Sequence, residues 1–479
     1  NTNGGSGNLE ATDFSFSLTG GNATLSSATP SSISISGNVY TLGIGLSSNM
    51  AYGTETLTVT PVANSIYDLA GNAASTSQSN NTATLNGIAQ QLGSDIDGEA
   101  TDDKSGYSVS MNSAGDRVAI GAYTNDGTAS DAGHVRIYQY ASGSWSQLGS
   151  DIDGEAQFDN SGISVSMNSA GDRVAIGAFN NDGTANGAGH VRIYSYNGSA
   201  WSQLGADIDG EANGDASGIS VSMNSAGDRV AIGAPYNDGT ASGAGHVRVY
   251  EYASGSWSKL GSDIDGEAAN DQFGYSVSMN SAGDRVAIGA PYADGTASNA
   301  GHVRIYEYSS GSWSKLGSDI DGEAANDASG LSVSINSTGD RVAIGAFIND
   351  GTASDAGHVR IYQYASGSWS QLGADIDGEA ANDQSGISVS MNSSGDRVAI
   401  GAKNNDGTAS NAGHVRVYEY SSGSWSQVQN DIDGEATNDY SGLSVSINSS
   451  GDRVAIGAYG HDVTGYDQGH VRIYDLKPG

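Results

Sequence analysis

Apolar side chains alternate with small or polar ones over short stretches of the chain, with a period of two rather than 3.6. Tyr275, Val277 and Met279 alternate with serine, and residues 302–308 alternate in the same way. Shorter apolar stretches follow at 285–288 and 313–317, and runs of Gly, Asn, Asp and Ser separate them, as turns require. The pattern predicts four short strands and no helix in this part of the chain.

This stretch recurs along the chain at a fixed interval. The string DIDGEA begins every 56 residues, at Asp95, Asp151, Asp207, Asp263, Asp319, Asp375 and Asp431. Each of these aspartates begins one of seven repeat units, which we number 1 to 7. Four short strands per unit, repeated roughly four to eight times, are typical of a β-propeller. The sequence therefore predicts an all-β chain, with a seven-bladed propeller of four-stranded blades over 88–479 and a separate β-sandwich over 1–87.

The ends of the repeat region predict a closed ring. The last unit ends after its third strand, whereas residues 88–92 align with the fourth-strand stretch 424–428. The first strand of the repeat region then completes the last blade, which hides the strand edges that an open stack of sheets would expose. Ala89 stands at this junction in place of a tryptophan. A parallel β-helix is the structural alternative, but its repeats are shorter than 56 residues.

Composition and charge exclude several classes of protein. The 479 residues include 70 Gly, no Cys and 15% charged residues, and the formal net charge is −35. Such an acidic chain lacks the basic surface that nucleic-acid binding requires, and without cysteine it forms neither disulfides nor cysteine-ligated metal sites. No apolar run of about 18 residues predicts a membrane span. The repeat region, with 19 basic and 50 acidic residues, carries −31, and residues 1–87 carry −4.

One segment resembles a known repeat family. Residues 273–308, FGYSVSMNSAGDRVAIGAPYADGTASNAGHVRIYEY, are similar to the FG-GAP repeat, the blade unit of integrin α-subunit propellers and of many bacterial surface proteins. The Phe-Gly and Gly-Ala-Pro landmarks are complete in this unit, at Phe273 and Pro291. Residues 54–75, TETLTVTPVANSIYDLAGNAAS, resemble part of a bacterial Ig-like β-sandwich. The two resemblances imply a propeller behind a partial Ig-like domain at 1–87, within a larger secreted bacterial surface protein.

Carboxylates recur in the loops that such a propeller places on one face. In an extended DIDGE segment, alternate acidic side chains point to the same side and offer the hard oxygen ligands that Ca²⁺ takes. The calcium candidates are Asp95, Asp97, Glu99 and Asp103, then Asp263, Asp265, Glu267 and Asp271, and their equivalents in other units. The alternative is that Asp97 and Gly98 form a turn while the other acids are solvated or bond to loop amides. The calcium loop DxDxDG of integrin-type blades is not carried over, because its position holds Asn-Ser-Ala-Gly-Asp.

Differences among the seven units concentrate in the same loops, and several of the differing residues are aromatic. We predict that seven of them contact a partner: Tyr123, Phe158, Phe179, Tyr236, Tyr292, Phe347 and Tyr459. Fixed strands with variable loops are typical of a scaffold that presents a binding surface. The histidine that recurs once per unit and the recurring tryptophan are predicted to pack, and the additional His461 is predicted to lie on the loop surface.

Seven near-identical units offer no unique, asymmetric group of acid, base and nucleophile, so the sequence predicts no enzyme. The predicted function is a non-catalytic, extracellular adhesion or binding module of a large bacterial cell-surface protein. Its predicted partner is a protein or glycan on another cell or surface, and neither nucleic acid nor a membrane span is expected. The first alternative is a structural subunit of a cell-surface filament, in which the propeller self-associates or acts as a spacer. The second is a propeller hydrolase or lyase.

Overall fold

The computed structural model describes residues 8–20, 23–37, 39–48, 55–68, 70–85, 89–463 and 465–476. Within these residues the regular secondary structure is almost entirely β-strand, in agreement with the predicted all-β class. It divides into two parts, one of residues 1–90, 428–430 and 476–479 and the other of residues 91–427 and 431–475. The predicted ends of the repeat region, at 88 and at 477–479, lie outside the described residues. None of the described helices is long and apolar enough to cross a bilayer.

The N-terminal part contains small antiparallel sheets. A short 3-10 helix, Ala11–Asp13, leads into them. The largest sheet has three strands, in the order Phe14–Thr19, Thr56–Pro61 and Thr82–Thr84. Two further pairs are formed by Thr24–Leu25 with Leu46–Ser48 and by Ser32–Ser36 with Val39–Gly43. Phe16 and Leu57 are buried on the largest sheet, which gives this part a small apolar core.

The described residues of the repeat region form seven sheets of five strands each. The first strands are Ser108–Met111, Ser161–Met167, Ser220–Met223, Ser276–Met279, Ser332–Ile335, Ser385–Met391 and Ser444–Ile447. The second strands are Arg117–Ala122, Arg173–Ala178, Arg229–Ala234, Arg285–Ala290, Arg341–Ala346, Arg397–Ala402 and Arg453–Ala458, and the third strands are His134–Ala141, His190–Tyr196, His246–Ala253, His302–Ser309, His358–Ala365, His414–Ser421 and His470–Asp475. The fourth strands are Ser144–Gln147, Trp201–Gln203, Ser256–Lys259, Ser312–Lys315, Ser368–Gln371, Ser424–Gln427 and, for sheet 7, Gln90–Gln91. The fifth strands are Ile152–Asp153, Ile208–Asp209, Ile264–Asp265, Ile320–Asp321, Ile376–Asp377, Ile432–Asp433 and, for sheet 7, Ile96–Asp97.

In sheets 1 to 6 the first four strands are antiparallel and lie in chain order, as the alternating pattern predicts, whereas the fourth strand of sheet 7 comes from the start of the repeat region. The fifth strand was not predicted from the sequence. It is the Ile-Asp pair of DIDGEA, contributed by the following unit, and it pairs with the third strand, so that Ile320 lies opposite Val303 in sheet 4. Ile320 is only 4% exposed. Because this isoleucine is apolar and is buried between sheets, the segment lies along the third strand rather than in an open loop.

The apolar core lies between neighbouring sheets rather than within any one of them. Val135 and Ile137 of sheet 1 pack against Val165, Met167 and Val174 of sheet 2, and equivalent clusters recur around the repeat region. The six tryptophans lie at the same interfaces, where each indole N–H donates a hydrogen bond to a backbone carbonyl at 2.7 or 2.8 Å. The predicted packing role of these tryptophans is confirmed.

The seventh sheet is completed by the start of the repeat region, as the phase of the units predicts. The backbone N–H of Leu92 donates to the carbonyl of Ile473 at 2.7 Å, and Ile96 lies opposite Val471. Ile96 also packs against Met111 of sheet 1, within an apolar cluster shared by sheets 7 and 1. The last sheet therefore contacts the first.

One cavity is lined by residues of all seven sheets. It has a volume of about 140 Å³ and is lined by the Met-Asn-Ser or Ile-Asn-Ser stretch at the end of each first strand. Backbone hydrogen bonds link these stretches from one sheet to the next, including one from Ser449 of sheet 7 to Ser113 of sheet 1 at 3.2 Å. The sheets are therefore arranged around a common axis, and repeated four-stranded antiparallel sheets in this arrangement fit a β-propeller.

Candidate functional site

Two sets of loops lie side by side on one face of the repeat region. One set joins the second strand to the third, and the other joins the sheets. The backbone N–H of Phe158, in a sheet-joining loop, donates to the carbonyl of Ser130 at 2.9 Å, and the N–H of Ser161 donates to Ala132 at 2.9 Å. Gly133 has φ +74, and a Cβ there would collide with the carbonyl of Ser161, so only glycine permits this approach. We call residues 123–133 and 154–160, with their equivalents at intervals of 56 residues, the loop face.

The predicted calcium ligands of unit 1 already have partners within the protein. A carboxylate oxygen of Glu99 lies 3.3 Å from the guanidinium of Arg136. Asp103 is 2% exposed, and its carboxylate accepts the backbone N–H groups of Ala100 at 2.8 Å and of Glu99 at 3.2 Å. Asp103 therefore holds its own loop in place, which is the role that the alternative hypothesis gave to these acids.

Asp95 and Asp97 belong to a different group of side chains from Glu99. Asp97 lies opposite His470 on the fifth strand of sheet 7, and burial together with the neighbouring Asp95 raises the pKa of its carboxyl. The three acids of this DIDGE segment fall into two of the groups whose side chains are close enough to share one ion: Asp95 with Asp97 and His470, and Glu99 with His134 and Asp151. The DIDGE segment thus divides its carboxylates between two neighbouring sheets, and calcium binding stays a prediction.

Unit 4 repeats this arrangement at its predicted calcium ligands. Asp263 forms an ion pair with Lys259 at 2.8 Å. Glu267 forms one with Arg304 at 2.6 Å. Asp265 is exposed on the fifth strand of sheet 3. Two of these three carboxylates are therefore held by cations of the chain itself.

The recurring histidine is buried at the start of each third strand. His134 is 1% exposed, and its Nε2 has no hydrogen-bond partner among the described residues. Burial and the nearby Arg136 lower its pKa to about 4. His358 is equally buried, and burial and then Arg360 lower its pKa, opposed by Asp375, Glu323 and Asp327. These imidazoles are therefore neutral at pH 7, as a packing role requires.

All seven predicted partner-contact aromatics lie on the loop face, with different exposure. Phe158 is 54% exposed and Tyr236 is 44% exposed. The other five are half-buried: Tyr123, Phe179, Tyr292, Phe347 and Tyr459. Phe158 and Tyr236 therefore offer the largest accessible aromatic surface of the set.

Tyrosines from both ends of the repeat region meet in one group, which we call the tyrosine cluster and define as Tyr107, Tyr123, Tyr440 and Tyr459. The ring centroid of Tyr107 lies 4.5 Å from that of Tyr123 and 5.8 Å from that of Tyr459. Tyr459 stacks on Tyr440 at 5.2 Å, and the Nζ of Lys104 lies 5.6 Å from the Tyr123 ring. The sequence analysis missed both Tyr107 and Tyr440, although Tyr440 has no tyrosine counterpart in the other units.

Unit 4 has a cavity where other units have an asparagine. Ala293 replaces that asparagine, and a cavity of about 580 Å³ lies beside it, lined also by Asp271 and Tyr292. Asp271, the remaining calcium candidate of this unit, accepts the backbone N–H of Ala268 at 3.1 Å, and burial raises the pKa of its carboxyl. Ala293, in place of asparagine, is a departure from the repeat on the loop face.

Unit 7 has a histidine at the same position. His461 is only 16% exposed at its side chain, and its Nδ1 lies 3.1 Å from a carboxylate oxygen of Asp439. Its ring stacks on that of His470, with the centroids 3.9 Å apart. The prediction that His461 is a surface residue of the loop is wrong, because the pairing with Asp439 and the stacking on His470 draw the side chain inward.

Comparison with known protein families identifies a repeat in unit 4. Residues 263–306 match the FG-GAP repeat family. The matched segment runs from the beginning of unit 4 into the third strand of sheet 4, and includes the Phe-Gly and Gly-Ala-Pro landmarks. No curated protein matches the chain.

Proposed function

We propose that the chain is a non-catalytic, extracellular adhesion or binding module of a large bacterial cell-surface protein. In this proposal, residues 88–479 form a seven-bladed propeller, and residues 1–87 belong to an Ig-like module that precedes it in the sequence. The loop face binds a protein or glycan on another cell or surface. The match of unit 4 to the FG-GAP repeat supports the proposal, because this repeat is typical of adhesion or binding modules.

One observation carries the proposal: the loop face combines a repeated backbone with side chains that differ between units. The backbone N–H of Phe158 donates to Ser130, and that of its counterpart Asn270 donates to Ser242, both at 2.9 Å. The two side chains are nevertheless an exposed aromatic ring and an amide. A rigid frame presents such side chains at little cost in conformational entropy, and exposed aromatic residues supply much of the binding energy at protein interfaces.

The negative charge of the repeat region bears on the kind of partner. Its −31 charge repels other acidic surfaces and attracts cations. We therefore include Ca²⁺ in the proposal as an ion bound by carboxylates of the DIDGEA segments and of the loops that follow them. The test is the thermal unfolding midpoint of the full chain in calcium and then in chelator. A higher midpoint in calcium is expected, and an unchanged midpoint would remove calcium from the proposal.

Substitution of the two exposed aromatics tests the binding role. The full chain, coupled to beads, is screened against a glycan array and against cell surfaces. The variant Phe158→Ala/Tyr236→Ala is then compared with the native sequence on the surface bound most strongly. Phe158 is 54% exposed and Tyr236 is 44% exposed, so the variant is expected to fold normally. Binding is expected to fall by about tenfold or more, which corresponds to about 1.4 kcal/mol.

A matched control and a second readout separate the competing explanations. Ser202→Ala/Ser370→Ala alters exposed positions on the fourth strands, away from the loop face, and should leave binding unchanged. Equal binding by the aromatic variant and the native chain would contradict the proposal. If the aromatic variant instead binds normally but no longer forms filaments, the chain is a filament subunit and the proposal is wrong.

A further inference from the structure

His461 replaces an asparagine and lies beside the aspartate that this asparagine bonds in other units. Unit 6 has Asn405, whose Nδ2 donates to the buried Asp383 at 3.0 Å. The Nδ1 of His461 lies 3.1 Å from a carboxylate oxygen of the equivalent aspartate, Asp439. The substitution therefore keeps a polar side chain beside this aspartate and adds a second imidazole beside His470. With Nδ1 next to a carboxylate, the Nε2 of His461 is the nitrogen available to a ligand.

His470 is a buried polar group that lacks a partner. Its side chain is 0% exposed, and neither ring nitrogen forms a hydrogen bond with the residues that the structure describes. Its Nδ1 faces a carboxylate oxygen of Asp95 at 3.9 Å. A buried nitrogen without a partner is costly, and this nitrogen is directed at a group of acidic side chains.

Two groups of potential ligands share His470. One comprises Glu435, His461 and His470, and the other Asp95, Asp97 and His470, and within each the ligand atoms lie within 4.8 Å of one another. Imidazole nitrogens combined with carboxylate oxygens suit zinc-type divalent ions, whereas Ca²⁺ and Mg²⁺ prefer oxygen ligands alone. The ligand types therefore indicate a transition ion.

We propose that His461, His470 and Glu435 bind one divalent transition ion of the zinc type. Asp439 positions His461 and is not itself a ligand. All three ligands belong to unit 7: Glu435 lies in its sheet-joining loop and His461 in the loop between its second and third strands, so that the ion joins these two loops. An ion that binds only the folded chain raises the free energy of unfolding.

Zinc binding to the full chain is measured by titration calorimetry after chelator treatment, with His461→Asn as the matched variant. This variant restores the residue that unit 6 carries at Asn405, so its hydrogen bond to Asp439 should form and its metal-free unfolding midpoint should equal that of the native chain. The native chain is expected to bind one more Zn²⁺ than the variant. Zinc is expected to raise the unfolding midpoint of the native chain alone, and Co²⁺ to give it a visible absorption band that the variant lacks.

The converse substitution gives an independent test. Asn405→His places a second imidazole near His414 in unit 6, where the Nδ1 of His414 lies 4.0 Å from Glu379 and 3.9 Å from Asp431. This variant is expected to bind one additional Zn²⁺. Equal zinc binding by the native chain and His461→Asn, or no zinc binding by the native chain, would overturn the proposal. A midpoint that Ca²⁺ raises as much as Zn²⁺ in the native chain alone would also overturn it, since the site would then prefer oxygen-binding cations.

Discussion

Exchanging alanine and asparagine between units 3 and 4 should move the stability of the protein in opposite directions. In four units the asparagine Nδ2 donates to a buried aspartate at 3.0 or 3.1 Å, and its Oδ1 accepts a backbone N–H at 2.8 Å. Unit 4 has Ala293 instead, beside a cavity of about 580 Å³. We predict that Ala293→Asn stabilises the protein and that Asn237→Ala destabilises it.

The magnitude follows from the two hydrogen bonds. A hydrogen bond to a charged group contributes about 1.5–3 kcal/mol and a neutral one about 1 kcal/mol, while fixing the side chain costs about 1 kcal/mol of conformational entropy. Ala293→Asn should therefore add about 2 kcal/mol to the free energy of unfolding, since Asp271 is only 7% exposed and gains a donor. Asn237→Ala should cost about 2–3 kcal/mol, because Asp215 is 2% exposed and keeps only the backbone N–H of Ala212.

Equilibrium unfolding in urea, followed by circular dichroism and tryptophan fluorescence, measures both changes. Equal slopes for the variants and the native chain would show that the change lies in stability rather than in the extent of unfolding. If Ala293→Asn leaves the midpoint unchanged or lowers it, the asparagine-to-aspartate bond does not stabilise these loops, and the reasoning is refuted. The same conclusion follows if Asn237→Ala costs less than about 0.5 kcal/mol, within the range of an ordinary surface substitution.

Three further predictions concern the ring and its histidines. Ile96→Ala should lower the free energy of unfolding, measured in urea, by about 3 kcal/mol, as much as Ile208→Ala, because both isoleucines are 4% exposed between sheets. A cost below about 1 kcal/mol for Ile96→Ala alone would contradict ring closure. Trp257→Phe should cost about 1–2 kcal/mol in the same assay, since it removes the bond to the Leu204 carbonyl at 2.7 Å, and an unchanged midpoint would show that this bond is not stabilising. The pKa of His358 is lowered by burial from 6.5, so the unfolded state binds more protons and stability falls as the pH drops below about 6.5. Between pH 7.5 and pH 5.0 the thermal unfolding midpoint should therefore fall less for His358→Gln than for the native chain. An equal fall in the two midpoints would refute the lowered pKa of His358.

The sequence predicts the strands well because their signal is local. The alternation of apolar and polar residues around Val277 and the recurring tryptophan reflect burial on the two faces of each sheet. The sequence of any one unit is enough to show this pattern. The 56-residue interval then predicts how the units follow one another, and the phase of residues 88–92 predicts the strand that completes the last sheet. The fifth strand was missed because the sequence analysis placed DIDGEA in the loops between blades. The pairing of this segment depends on burial of an isoleucine against a neighbouring sheet, which the alternation within a unit does not show.

The candidate site is less predictable because its contacts join distant parts of the chain. Tyr107 meets Tyr459, and Asp95 faces His470, across almost the whole repeat region. No local pattern indicates such contacts. The sequence does mark two positions of the candidate site by their departure from the repeat. Ala293 and His461 each stand where the other units have an asparagine. Both departures mark features of the loop face that the repeated pattern conceals.

Closure of the ring by the first and last strands is the claim on which the common loop face depends. An experimental density map that resolves strand pairing tests it most directly. The account predicts residues 90–97 along the third strand of sheet 7, with Leu92 bonded to Ile473 and Ile96 opposite Val471. A map in which the seven sheets form a straight stack, or in which residues 90–97 lie away from His470–Asp475, would contradict it.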